Sequence, residues 1–118
     1  MAKVYALVMG ALLLLLGIFG FLRTSYFDLH FSPAHNWIHL LSGVFGLWAG
    51  LDKKGYGAKM YAQLLGVFYT VIAVAGFAGV PEFLMNMLDL NTSYNVIHVV
   101  VGLLGVLSGF PKERTGPA

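Results

Sequence analysis

His35 and His39 stand four residues apart, one turn of an α-helix, a spacing that presents two imidazoles to a single ion. His98 follows 59 residues after His39 inside a closely matching stretch, and Met85 and Met87 add two thioethers. Imidazole with thioether suits copper and not calcium or magnesium, so one reading takes His35, His39, His98, Met85 and Met87 as metal ligands, with His30 on the same side. A second chemistry needs only His39 and His98: two neutral imidazoles facing a two-fold axis ligate the iron of a b-type haem from opposite sides, with glycines leaving room for the macrocycle. The structural alternative has both histidines hydrogen-bonded in a polar network with Asn36, Asn95, hydroxyls or carbonyls, and both methionines as apolar filler.

Other chemistries find less in the sequence. The chain has no Cys, which removes thiolate ligands and disulfides. Ser42, Ser108 and Thr70 are isolated hydroxyls in apolar surroundings, and Gly43-x-x-Gly46 lacks the strand and turn of a phosphate loop, so no enzymatic activity is expected. Proton or ion conduction would rest on His39 and His98 alone, because the apolar windows hold no Asp or Glu.

The elements that carry these residues follow from the charges. Of 118 residues 58% are hydrophobic and 10% charged, with a mean hydropathy of +0.79. Ordinary soluble domains carry about 25% charged residues, so lipid is the expected solvent. A net charge of +2 gives no reason to expect nucleic acid. Every Asp, Glu, Lys and Arg falls outside four windows, Val4 to Leu22, Leu29 to Leu51, Met60 to Pro81 and Leu90 to Pro111. About 20 helical residues cross a bilayer, and these runs do not alternate as barrel strands do.

The expected fold is therefore all-α: an integral membrane four-helix bundle filling residues 1–118 as one domain, with spans at 4–22, 33–51, 59–79 and 92–110. Ser32 followed by Pro33, and Asn91, supply helix caps. A segment at 81–89 puts Phe83, Leu84, Met87 and Leu88 on one face and reads as a helix lying in the interface. Trp37, Tyr26 and Tyr94 are expected as aromatic anchors at one boundary, and Trp48, Tyr56 and Tyr61 at the other. Lys3, Lys53, Lys54, Lys59, Lys112 and Arg114 share one side and only Arg23 is on the other, which places both termini in the cytoplasm.

The chain also repeats itself. Asn36, Ile38, His39, Gly43 and Gly46 return in register as Asn95, Ile97, His98, Gly102 and Gly105, and Gly50 matches Gly109. Tyr5, Ala6, Gly10 and Gly20 correspond to Tyr61, Ala62, Gly66 and Gly76. Two helical hairpins, about 1–54 and 55–118, are thus expected to be related by an axis along the membrane normal, with His39 and His98 at one depth in the outer leaflet. The glycine faces suit close helix packing, within the chain, in a homo-oligomer or against a larger membrane complex.

The pattern H-N-x-[LI]-H-x3-G-x2-G-L at His35, Asn36, His39, Gly43, Gly46 and Leu47, with Leu88, Leu90, Asn91, Asn95 and His98 entering the last span, resembles a bacterial family of small four-span membrane proteins catalogued as a domain of unknown function. Tyr94 stands where that family often has an acidic residue. The resemblance implies the fold and a place in the bacterial inner membrane, and supplies no activity. The expected role is a noncatalytic accessory or structural protein, with the haem, copper and conduction readings as alternatives.

Overall fold

The computed structural model describes residues 1–26, the side chain of Tyr26 excepted, and 29–111. Phe27, Asp28, Lys112 and Arg114 lie outside the described residues. Five helices and one two-residue ladder make up the described chain: α1 (Ala2–Leu22), β1 (Ser25–Tyr26), β2 (Leu29–His30), α2 (Pro33–Gly50), α3 (Tyr56–Ala78), α4 (Glu82–Leu88) and α5 (Thr92–Gly109). Strands β1 and β2 pair antiparallel, a small departure from an all-helical expectation.

Local chemistry sets the helix ends. The Ser32 hydroxyl accepts from the His35 N–H at 3.2 Å with Pro33 in the first turn, and Asn91 Oδ1 accepts from the Tyr94 N–H at 2.9 Å. Each cap satisfies an amide that the helix itself leaves unpaired. Gly79, at φ 72°, ends α3, and the Val80 N–H returns to the Ala75 carbonyl at 3.2 Å. Between α2 and α3, Asp52 accepts from the Gly57 N–H at 2.8 Å and the Lys54 N–H at 3.2 Å. Those two amides, Gly57 first, hold its carboxyl below the usual carboxylate range.

Helix α1 lies chiefly against α2, and α3 chiefly against α5. Glycine makes both approaches possible. A Cβ on Gly10 would stand 2.6 Å from the Leu47 nitrogen and 2.9 Å from the Gly46 carbonyl carbon, and one on Gly66 would stand 2.6 Å from the Gly105 carbonyl carbon. Gly43, Gly46 and Gly50 meet Leu14, Tyr61 and Leu7, while Gly102, Gly105 and Gly109 meet Thr70, Gly66 and Gln63. All six therefore face contacts within the chain.

Tyrosine hydroxyls tie one helix pair to the other. Tyr5 donates to the Val101 carbonyl at 2.8 Å and Tyr61 to the Ser42 carbonyl at 2.9 Å. The core around them is small and aromatic: Ala6, Leu13, Ala49, Ala58, Ala62 and Tyr69. Outside stand the large apolar residues, among them Leu15, Leu41, Val44, Leu64, Val71, Val74, Leu103 and Leu107. Water-soluble proteins bury such side chains. Here His, Asn and Gly are inside and Leu and Val outside, the arrangement that a hydrocarbon solvent favours.

Three helices are long and apolar enough to cross a membrane: α1, α3 and α5. Helix α2 has the same 18 residues as α5 but is not among them, because Pro33, His35, Asn36 and His39 lower its hydropathy. Trp37, Trp48 and Tyr56 are exposed as anchors should be, whereas Tyr61 and Tyr94 are buried, which corrects the expectation for both. On α4, Leu88 turns inward while Phe83 and Met87 are exposed.

Candidate functional site

The site forms at the end of the molecule away from Met1 and Pro111, where α2 and α5 begin. Because their caps lie at Ser32 and Asn91, His39 and His98 both sit seven residues into their helices, and His35 sits one turn before His39. Each of the three rings is at least 97% buried. One ring nitrogen from each lies within 4.8 Å of the others, and no carboxylate among the described residues joins the group.

His35 Nδ1–H donates to the Leu88 carbonyl at 3.1 Å. That bond places the proton on Nδ1 and leaves Nε2 free to ligate. Nδ1 of His39 and Nδ1 of His98 are buried without a hydrogen-bond partner. Unpaired buried polar atoms are costly, by about 1–3 kcal/mol each, which makes these two nitrogens candidate ligand atoms. Three neutral imidazoles can hold a transition metal. Metal–nitrogen bonds of about 2.0 Å set trigonal ligands about 3.5 Å apart, a closure of about 1 Å that ring rotation can supply.

Aromatic rings wall the cluster. Tyr94 stacks on His98 with centroids 5.8 Å apart and leans on His35 at 4.6 Å, while its hydroxyl donates to the His30 carbonyl at 2.9 Å. Phe31 stands edge-on to His39, and Tyr69 lies 5.1 Å from His98. The Tyr69 hydroxyl approaches Ser42 but completes no hydrogen bond. Beside the rings lies a cavity of about 170 Å³ lined by His39, His98, Tyr69, Tyr94 and apolar residues of α1 and α5.

The expected ligands divide in the structure. His35, His39 and His98 come together. Neither Met85 nor Met87 lines the cavity, and Met87 is 45% exposed. The thioether that does line it is Met9 of α1, which the sequence reading missed. His30 is drawn off to Asp89, its Nδ1 lying 2.6 Å from the carboxylate on the exposed side. Asn36 and Asn95 are not partners of the unpaired histidine nitrogens; each presses its carboxamide oxygen onto a glycine of its own helix pair, Gly20 and Gly76, and neither oxygen finds a hydrogen bond. His35 packs 4.2 Å from His39 and 5.7 Å from His98, so a haem held between His39 and His98 would have to share their surroundings with a third imidazole.

Tyr94 also escaped the sequence reading, although it left a trace. It stands 59 residues after His35, in the register of the repeat, and so had to share the histidine's inward face.

No curated protein and no solved structure matches the chain. A family described as a domain of unknown function, DUF4383, matches over residues 3–111, and the chain belongs to that family.

Proposed function

We propose that the protein is a four-span bundle of the bacterial cytoplasmic membrane, both termini inside, whose role is to bind one copper(I) ion through His35, His39 and His98. The observation that carries this reading is the convergence of three buried imidazoles within 4.8 Å, two of them with an unpaired Nδ1.

The fourth span is α2. Its polar residues His35, Asn36 and His39 are buried, and Trp37, Leu41, Val44 and Trp48 face outward, so lipid meets an apolar surface despite the lower mean hydropathy. Eighteen residues rise about 27 Å, close to the hydrocarbon thickness. Lys3, Lys53, Lys54 and Lys59, with Lys112 and Arg114, support an inside location for the end opposite the histidines. The matching glycine, tyrosine and asparagine contacts in the two helix pairs support a fused duplication.

Copper(I) is favoured by charge. Among the described residues the cluster holds no acid, and Asp89 is taken by His30, so no carboxylate described there offsets the ion's charge. The cost of an ion in low dielectric grows with the square of its charge, about four times more for a divalent ion than for a monovalent one. A monovalent, soft metal suits three neutral imidazoles beside Met9. On this reading the protein acts as a binder in an accessory role.

The test is copper(I) titration of the full chain in detergent under reducing conditions, against a chromogenic chelator. One copper per chain is expected, with loss of binding in His39→Gln and His98→Gln and unchanged helicity by circular dichroism. Wild-type protein that stays folded yet retains no copper, or binding indifferent to all three histidines, overturns the proposal.

A further inference from the structure

Three protein ligands leave a metal with an open position, the arrangement of reactive sites and not of closed structural ones. The cavity of about 170 Å³ is lined by His39 and His98 but not by His35, so it lies to one side of the cluster. We infer that this cavity is a binding site for a small uncharged donor ligand, no larger than about a benzene ring, which enters from the hydrocarbon and takes the fourth position on the copper. This inference rests on the copper reading above.

Size and lining restrict the occupant. An apolar cavity of about 150 Å³ stays dry and admits benzene or xenon, so a space of this volume excludes a phospholipid or a ring bearing a long tail. Its walls are Leu12, Leu13 and Leu16 of α1 with Ile97 and Val101 of α5, which offer nothing to an ion. The single hydroxyl without a hydrogen bond on that lining is Tyr69, 98% buried, which can donate to one acceptor atom on the ligand.

Access is from the side. Leu12, Leu16 and Ile97 line the cavity and are also 49%, 36% and 40% exposed on the lipid-facing surface, so they form its outer rim. Helices α1 and α5 touch less than α2 and α3 do, so the seam between them is the looser one. At the outer end, the described residues cover the cluster: Phe31 stands edge-on to His39, the Leu88 carbonyl is bonded to His35, and His30 and Asp89 join β2 to the residue ending α4. Uncharged molecules such as dioxygen concentrate in hydrocarbon, so a lateral entrance selects them over hydrated anions.

Carbon monoxide is a suitable probe, since it binds copper(I) without changing the oxidation state and reports through its C–O stretch. The full chain is loaded with copper(I) in lipid nanodiscs, copper is counted by elemental analysis in the same sample, and rebinding is followed after flash photolysis. One carbon monoxide per copper is expected. Tyr69→Phe should shift the C–O band, Leu16→Trp should slow rebinding about tenfold or more at equal copper content, and Leu16→Ala should speed it. Copper-loaded protein that binds no carbon monoxide, or rebinding unchanged in both Leu16 variants, overturns this inference alone. Absence of copper from the folded protein overturns the metal reading and this one with it.

Discussion

Replacing Gly10 with alanine tests one of the close backbone approaches between α1 and α2. The new methyl would lie 2.6 Å from the Leu47 nitrogen, 2.9 Å from the Gly46 carbonyl carbon and 3.0 Å from the Gly43 oxygen. All three are backbone atoms, which no rotamer change can move aside. Ordinary carbon contacts begin near 3.4 Å, so α1 and α2 must separate by about 1 Å along this seam. Overpacking of this kind costs about 1–3 kcal/mol, and the absence of a flexible neighbour puts Gly10 in the upper half of that range. Alanine returns about 1 kcal/mol of helix propensity, leaving a net loss of about 1–2 kcal/mol. Equilibrium unfolding in mixed dodecyl sulfate micelles, followed by far-ultraviolet circular dichroism, measures it. Gly57→Ala is the control, since its methyl would meet the Ala49 oxygen at 3.3 Å and nothing closer. A Gly10→Ala protein as stable as wild type, or no weaker than the control, would refute the argument that backbone proximity holds this pair.

Tyr61→Phe and Tyr5→Phe each remove one hydroxyl bonded to a carbonyl of the other helix pair, and each should cost about 0.6–1.7 kcal/mol in the same unfolding assay. The Asp52 carboxyl titrates below the unfolded value of about 3.9, so its grip on the α2–α3 turn is complete above that value and is lost as pH falls through the lower folded one. Protection of the Lys54 and Gly57 amides, taken relative to the intrinsic exchange rate at each pH, should accordingly fall on acidification in wild type, and be low at every pH in Asp52→Ala. Asp89→Asn weakens the tie between β2 and the end of α4 above the histidines, and should raise the rate of copper release to a chelator severalfold while leaving one copper per chain.

What could be read from the sequence was whatever depends on spacing along the chain. Charges and caps together placed the four long helices to within three residues, Ser32 and Asn91 announced their own caps, and His35 and His39 declared a shared face. What could not be read depends on how a helix is rotated against its neighbours. Tyr61 and Tyr94 look like interfacial anchors by position, yet α2 turns toward both, with Ser42 and Phe45 at Tyr61 and His35 at Tyr94, and both rings are buried. Met9 sits in an unbroken apolar run, where nothing distinguishes a cavity wall from a lipid face until α5 is set beside α1. The haem reading rests on two histidines on an axis, and only packing reveals that a third imidazole stands beside both.

The rings of His35 and Tyr94 hold one further consequence. His35, at the start of α2 in the first half, is bonded to the carbonyl of Leu88 in the second, while Tyr94, at the start of α5 in the second, is bonded to the carbonyl of His30 in the first. Each half thus latches the other's cover, like folded hands. A polypeptide severed between Lys53 and Lys54 would still have to clasp its counterpart to finish either one, so the two pieces should be found together or not at all.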